Sequence, residues 1–221
     1  MTTELWNFYI ESLQGHPTPC ALSAGTTEQH INDKIGKFFL NKDGRVLVLG
    51  CGDGKEARLF KNLGFNDVQG ITLDTHIIKD PGVTIHVRDM HNLRFLESGS
   101  INYVYSNHSF EHSFAPFMLC LEVWTVMRPG GVWFIEYPAS KFTGRSGAIT
   151  DPAVNKVSHH HPNLLRPEEA ECLFKTTGFK IIDYTPSGAE TFVLERIHKD
   201  LLTDYGVHSD VVRTLSARLK L

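Results

Sequence analysis

The protein is a chain of 221 residues, of which 41% are hydrophobic and 21% charged, with a formal net charge of −3. This length suits one α/β domain with additions better than two full domains, and the composition is that of an ordinary soluble protein. The slightly negative charge gives no electrostatic signal for binding to nucleic acid, although a net charge does not exclude a local basic patch.

We expect a single domain over residues 1–221, with N-terminal helices in 1–43, a core in 44–197 and a helical tail in 198–221. The first residues carry acidic side chains and no basic flank before an apolar core, which is not the pattern of a secretory signal. No apolar run approaches the ~20 residues that a membrane-spanning helix needs. We therefore expect a cytoplasmic location and find no clear membrane signal in the sequence.

The cysteines are widely spaced and form no Cys-x-x-Cys pair. Such spacing predicts reduced and mostly structural thiols. They are Cys20, Cys51, Cys120 and Cys172. Only Cys51 lies in a stretch with a predicted ligand role.

Two helices are predicted before the first strand. Leu5, Tyr9 and Leu13 recur at helical spacing and predict a short amphipathic helix. Apolar residues at similar spacing predict a second helix from Glu28 to Leu40. The polar link between the two helices is a candidate lid over a ligand.

The stretch VLVLGCGDG, residues 46–54, predicts a buried strand, a sharp turn and the start of a helix. Its aliphatic run, Val46 to Leu49, is typical of a strand buried on both faces of a parallel sheet. The turn contains the glycines Gly50, Gly52 and Gly54. Glycines remove the Cβ atoms that would block a tight turn or keep a ligand away from the backbone. A helix from Lys55 to Leu63 then begins beside the turn, and a helix N-terminus favours an anionic group.

Two further strands of this half end in carboxylates. Val68 to Leu73 ends at Asp74, about twenty residues after the turn, where a carboxylate can accept hydrogen bonds from ribose hydroxyls. Thr84 to Val87 is followed by Asp89 and Met90, a carboxylate and a flexible apolar side chain that can bracket a purine ring. Together with the turn, these ends indicate a nucleoside-containing cofactor.

The rest of the chain continues the alternation of strands and helices. The predicted elements are a strand Ile101–Tyr105 ending in Ser106-Asn107-His108, a helix Pro116–Met127, a turn Pro129-Gly130-Gly131, a strand Val132–Tyr137, a helix Pro167–Thr177, the antiparallel hairpin strands Phe179–Tyr184 and Thr191–Ile197, and a helix Asp210–Leu219. The polar stretch Ala139–Asn163 holds His159 to His161 and is longer than a plain connector, which favours a functional role.

This alternation predicts an α/β fold with a doubly wound, mostly parallel sheet that binds ligands outside the carboxyl ends of its strands. The glycine turn, Asp74, Asp89 and Asn107-His108 all fall at such ends. We therefore expect these residues to face one crevice.

These segments resemble the class I S-adenosylmethionine-dependent methyltransferase family, in particular the small-molecule, type 11 group that includes the ubiquinone and menaquinone biosynthesis enzymes. The resemblance runs through VLVLGCGDG, GITLD, VRDMHNL, INYVYSNHSFEH and VMRPGGVWFIEYP to the closing hairpin, and so covers most of Gly44 to Ile197. It implies a Rossmann-like sheet of seven strands with an antiparallel last strand. It also implies S-adenosyl-L-methionine as cofactor and a small-molecule methyl acceptor.

The resemblance assigns roles to individual residues by their place in these motifs. It implies that Gly50, Cys51, Gly52 and Gly54 contact the methionyl part of the cofactor, Asp74 with Thr75 the ribose, and Asp89 with Met90 the adenine, and that Asn107 and His108 lie near the sulfonium and the acceptor.

Two other classes share parts of this pattern. In the dinucleotide fingerprint of NAD-dependent oxidoreductases the third glycine comes three residues after the second, but here that position is Lys55 and the glycine is Gly54. The segment His108 to His112 matches the H-x-x-E-H pattern of inverted zinc proteases. Zinc ligands at this spacing need a continuous helix, whereas His108 directly follows a predicted strand, so we predict no metal site.

Methyl transfer from a sulfonium needs a base only if the attacking O, N, C or S atom must lose a proton. His108 is the first candidate for a base or an acceptor-orienting group, followed by His160 and Glu136, because imidazole titrates near neutral pH and Glu136 ends a strand. Glu111 and His112 are favoured as structural residues. A protein that binds the cofactor without transferring a methyl group remains the alternative from another class.

Overall fold

A computed structural model describes residues 28–73, 82–139, 150–151, 156–157, 165–186 and 188–219. The predicted first helix and the candidate lid lie outside the described residues. The chain divides into two compact units, Met1–Met90 and His91–Leu221, which are described in turn.

The first unit alternates helices and parallel strands. Its elements are α1 (Glu28–Ile35), β1 (Val46–Leu49), α2 (Lys55–Asn62), β2 (Val68–Thr72) and β3 (Thr84–Val87). Every residue of β1 is buried, as its aliphatic run predicts. Strands β1 and β2 pair in parallel, as do β2 and β3, so the carboxyl ends of these three strands share one edge.

The apolar spacing predicts that helix α1 ends at Leu40, but the helix ends at Ile35. The backbone N–H groups of Phe38 and Phe39 both donate to the Ile35 carbonyl, so the chain tightens into a turn after the helix. The turn buries the Phe39 ring against those of Phe60 and Phe65, at centroid distances of 6.1 and 6.5 Å. The predicted helix end at Leu40 is therefore wrong, and a packed turn follows Ile35 instead.

The second unit contributes the other strands. Its elements are β4 (Ile101–Asn107), a 3₁₀ turn (Phe110–His112), α3 (Pro116–Val126), β5 (Met127–Pro138), β6 (Thr150–Asp151), β7 (Lys156–Val157), α4 (Pro167–Thr176), β8 (Phe179–Pro186), β9 (Ala189–Arg196), a second 3₁₀ turn (Lys199–Leu201) and α5 (Ser209–Leu219). The short strands β6 and β7 pair antiparallel within the long polar stretch, most of which lies outside the described residues.

Seven strands form one sheet in the order β3-β2-β1-β4-β5-β9-β8. Strands β4 and β5 pair in parallel, whereas β9 is antiparallel to both β5 and β8. The predicted α/β sheet of seven strands with an antiparallel last strand is thus confirmed, and so is the closing hairpin. Among the described residues no helix is both long and apolar enough to cross a membrane.

The Pro129-Gly130-Gly131 segment was predicted as a turn before β5, but it lies within this strand. The pairing of β4 with β5 passes from Ile101–Met127 directly to Tyr103–Val132, so the segment forms a bulge. Gly130 has a φ of 71°. A Cβ on Gly131 would stand 2.8 Å from the Arg128 carbonyl oxygen. The glycines therefore permit an irregular strand where their sequence indicates a turn between elements.

Candidate functional site

The glycine turn of the first unit adopts a backbone that side chains disfavour. Gly50, Gly52 and Gly54 have φ angles of 67°, 53° and 93°, in the left-handed region open to glycine. The Cys51 N–H donates to the Ile71 carbonyl at 3.0 Å, and the Gly54 N–H donates to the Cys51 carbonyl at 2.9 Å. The turn is thus held against strand β2 with its shape set by backbone hydrogen bonds.

Gly52 faces open space. A Cβ built at this residue meets no heavy atom of the described chain within 4 Å, whereas one at Gly54 would stand 3.3 Å from Ile85 Cδ1. Gly54 is therefore closed in by packing, and Gly52 presents bare backbone on the side where a ligand can approach.

Gly70, in the middle of β2, supports the turn and was not among the residues singled out from the sequence. A Cβ there would stand 2.6 Å from both Cys51 Sγ and Ile85 Cδ1. The buried Cys51 side chain therefore packs into the space that Gly70 leaves, and any contact of Cys51 with a ligand comes from its backbone. A glycine inside a predicted strand signals such a close approach.

The start of helix α2 carries negative charge beside the turn. The Asp53 carboxylate accepts the Lys55 N–H at 2.9 Å, so one of the free amide donors of the helix N-terminus is already bound. Glu56 is also in the first turn of the helix and is buried. This arrangement disfavours a pyrophosphate at the helix N-terminus.

Asp89 and Met90 follow β3 at the edge that also carries the glycine turn. The Arg88 N–H donates to the Thr72 carbonyl at 2.8 Å, which fixes the ends of β2 and β3 together. Both Asp89 and Met90 are half-buried. The predicted partners Asp74 and Thr75 lie outside the described residues.

In the second unit, His108 follows β4 in an unusual conformation. Its φ is 48°, and among the described residues it is the only non-glycine residue with a positive φ. Its N–H donates to the Glu136 carbonyl at 2.8 Å, and its side chain is 44% exposed. Asn107, the last residue of β4, pairs in register with Glu136 of β5.

The His108 imidazole stands between two carboxylates. Its Nδ1 is 3.3 Å from Glu111 Oε1, and its Nε2 is 3.8 Å from Glu136 Oε1. Glu136 is nearly buried and accepts a hydrogen bond at Oε2 from Thr191 Oγ1 at 3.2 Å. Glu111 was predicted to be a structural residue. It lies in the 3₁₀ turn that follows β4, is fully buried and faces His108. The predicted candidate His160 lies outside the described residues.

Tyr137 adds a second buried polar group to this unit. Burial, followed by the nearby Glu190, Tyr184 and Glu111, raises the pKa of its phenol, which therefore stays protonated. Its hydroxyl has no hydrogen-bond partner among the described residues, and the same holds for both carboxylate oxygens of Glu111. Buried groups of this kind are uncommon and often occur at functional sites.

The zinc-protease pattern does not form the structure that it requires. Phe110 to His112 is a 3₁₀ turn of three residues, and His108 lies before it in the strand-to-helix loop. The described part of the chain contains no group of three or more His, Cys, Asp or Glu residues that could hold a metal ion.

A comparison with protein families matches residues 24–184 to the methyltransferase domain family. No curated protein sequence matches the chain. Similar solved structures include an S-adenosylmethionine-dependent methyltransferase from Mesorhizobium loti, with 17% identity, a TM-score of 0.58, and 72% of this chain and 95% of that chain covered.

Two other similar structures cover more of the chain. A protein from Pyrococcus horikoshii has 19% identity and a TM-score of 0.62, over 84% of this chain and 98% of that chain. The [4+2]-cyclase SpnF has 12% identity and a TM-score of 0.64, over 88% of this chain and 93% of that chain. At these identities the structures show a shared fold, while the family match covers most of the chain. The chain therefore belongs to the methyltransferase domain family, and its fold is that of the class I S-adenosylmethionine-dependent methyltransferases.

Proposed function

We propose that the protein transfers a methyl group from S-adenosyl-L-methionine to a small-molecule acceptor. The observation that carries the proposal is the glycine turn, whose left-handed backbone leaves Gly52 open within a methyltransferase domain. When bound, the cofactor supplies a methyl group activated by a sulfonium.

The residues of the first unit fit this cofactor. The open backbone at Gly52 leaves space for its methionyl part, and the Asp53 carboxylate beside the turn suits a ligand that carries positive charge. A dinucleotide would instead place a pyrophosphate against this carboxylate, which favours the methyltransferase over the NAD-dependent interpretation. We assign Gly50, Cys51, Gly52 and Gly54 to the methionyl part, Asp74 and Thr75 to the ribose, Asp89 and Met90 to the adenine, and Asn107 to the cofactor near its sulfonium.

The second unit supplies the candidate groups for the acceptor. Catalysis of this transfer consists mainly of holding the acceptor atom in line at about 3 to 3.5 Å from the methyl carbon, in a site from which water is excluded. His108 is the first candidate for a base because its imidazole is partly exposed and flanked by carboxylates. His160 and Glu136 are the other catalytic candidates.

A cofactor-binding protein without transferase activity is the second candidate. The likeness to SpnF favours it, because that protein has this fold and is described as a [4+2]-cyclase. The two candidates make the same prediction for cofactor binding and opposite predictions for methyl transfer.

The test combines binding with turnover. Calorimetry with S-adenosylhomocysteine should show binding at one site per chain, and incubation with methyl-labelled cofactor and small-molecule extracts should yield a labelled product. Absence of binding would overturn both candidates. Binding without labelled product from any extract would favour the second.

A further inference from the structure

We propose that Glu111 is a positioning residue that orients the His108 imidazole so that its Nδ1–H points toward the Glu111 carboxylate. We further propose that Nε2 of His108 takes the proton of a neutral hydroxyl acceptor. The inference rests on the proposed function, since it concerns the acceptor of the methyl group. It adds a residue to the site and names the chemical class of the acceptor.

The burial of Glu111 is the first reason. Its side chain is 1% exposed, and neither carboxylate oxygen has a hydrogen-bond partner among the described residues. A buried carboxylate is unfavourable unless a cation or hydrogen-bond donors compensate it. Nδ1 of His108, at 3.3 Å, is the group placed to do so, although it is not aligned for a full hydrogen bond. Such bonds are often loose without substrate and tighten in the complex.

Glu122 shows how a purely structural carboxylate of this unit differs. It is as buried as Glu111, but its Oε2 accepts the Leu93 N–H at 3.1 Å, and Arg94 Nε lies 3.7 Å from its Oε1. Glu122 thus binds the backbone and a permanent cation. Glu111 instead faces the imidazole of His108, a type of side chain that is not a permanent cation.

The backbone of His108 is the second reason. A positive φ at a residue with a Cβ is strained and persists only where the surroundings impose it. Here the hydrogen bond from the His108 N–H to the Glu136 carbonyl holds the backbone, and Glu111 and Glu136 flank the ring. Strain of this kind is concentrated at functional sites.

The charges around the pair set the chemistry. Glu111 from the 3₁₀ turn and Glu136 from β5 flank the ring, and the neighbouring Tyr137 phenol senses Glu190 and Tyr184 as well as Glu111. Carboxylates on both sides stabilise the imidazolium and so make the neutral imidazole a stronger base. With Nδ1 protonated toward Glu111, the lone pair that accepts a proton is on Nε2.

The same charges select the acceptor. An anionic acceptor would be repelled by Glu111 and Glu136, and an amine beside them would be held as an ammonium, which has no lone pair with which to attack. A neutral hydroxyl meets neither obstacle. Its oxygen bonds to the methyl carbon as the methyl–sulfur bond breaks, the electron pair of that bond stays on sulfur, and the hydroxyl proton goes to His108 Nε2.

Nuclear magnetic resonance of the full chain labelled with ¹⁵N-histidine tests the pairing without an acceptor. The His108 signals, assigned by their loss in His108→Asn, should show the neutral ring protonated on Nδ1. In Glu111→Gln the His108 titration midpoint should fall by about one pH unit or more, because an opposite charge within reach has been removed. The matched control Glu122→Gln removes a buried carboxylate elsewhere in the unit and should leave the midpoint unchanged.

Should Glu111→Gln fail to fold, the tautomer of the wild-type ring decides the matter. A neutral His108 protonated on Nε2 would overturn the inference, as would a midpoint that moves equally in both glutamine variants.

Turnover then tests the role in transfer. With phenols and matched benzylamines as probe acceptors, methyl transfer should favour the phenols, and Glu111→Gln should lower kcat by about 10-fold or more and move the acidic limb of the pH–rate profile down. Binding of S-adenosylhomocysteine should not change. Transfer to benzylamines alone, or a profile unmoved by Glu111→Gln, would overturn the inference while leaving the methyltransferase proposal in place. Failure to bind S-adenosylhomocysteine would refute the proposed function. The tautomer of the His108 ring would still show whether His108 pairs with Glu111.

Discussion

The glycine turn at residues 50–54 and the segment at His108 both follow a buried strand and both use positive φ angles. In the turn the residues are glycines, so the conformation is free of side-chain strain and exposes bare backbone. At His108 the same backbone region is occupied by an imidazole, held by a backbone hydrogen bond and flanked by two carboxylates. One region therefore leaves its backbone open, and the other holds one side chain between two carboxylates.

The largest effect is expected from filling the open side of the glycine turn. Gly52→Val should abolish calorimetric binding of S-adenosylhomocysteine, because its side chain occupies the space that we assign to the ligand. Gly64→Val is the matched control. Gly64 also has a positive φ, of 91°, and no described atom within 4 Å of a built Cβ. Both variants bear a similar strain, about 1 to 2 kcal/mol. Equal loss of binding in both would show that strain alone, and not the position of Gly52, is responsible.

The other region is tested by removing the imidazole while keeping its backbone. Because Asn tolerates the left-handed region, His108→Asn should preserve the fold, lower kcat by about 10²- to 10⁴-fold through loss of the base, and remove the acidic limb of the pH–rate profile. His198→Asn is the control, since His198 is an exposed histidine that pairs with Asp200 instead. An unaltered profile in His108→Asn would exclude His108 as the base.

A smaller effect on cofactor binding is expected from Asp74→Ala. Loss of a charge-assisted hydrogen bond to the ribose should weaken S-adenosylhomocysteine binding by about 1.5 to 3 kcal/mol in calorimetry. Asp43→Ala, an exposed carboxylate that hydrogen-bonds to Asn66, serves as the control. Equal affinity in wild type and Asp74→Ala would remove Asp74 from the site.

The smallest change concerns the support of the turn. Gly70→Ala should lower the free energy of unfolding by about 1 to 3 kcal/mol in urea denaturation, because its Cβ meets Cys51 Sγ and Ile85 Cδ1. Removal of the sulfur in Cys51→Ala with Gly70→Ala should restore part of that loss. Additive losses in the double variant would show that the two residues are not in contact.

Features that depend on local sequence signals were predicted better than features that depend on distant contacts. The limits of β1, β3 and the closing hairpin agree closely with prediction, because aliphatic runs and turn residues are local signals. Two predictions were wrong, the end of α1 at Leu40 and the turn at residues 129–131 before β5. Both depend on residues distant in sequence, namely the packing of Phe39 and the register of β5 on β4.

The sequence by itself determined that an α/β sheet carries a glycine turn at the end of a buried strand, since glycine spacing and hydrophobic runs express backbone needs directly. Only the tertiary structure decided that Gly70 makes room for Cys51 and that Glu111 faces His108. A pattern of one glutamate three residues after a histidine is consistent with many geometries. His108 combines a positive φ and a backbone hydrogen bond to the Glu136 carbonyl with an Nδ1 that lies 3.3 Å from Oε1 of the buried Glu111.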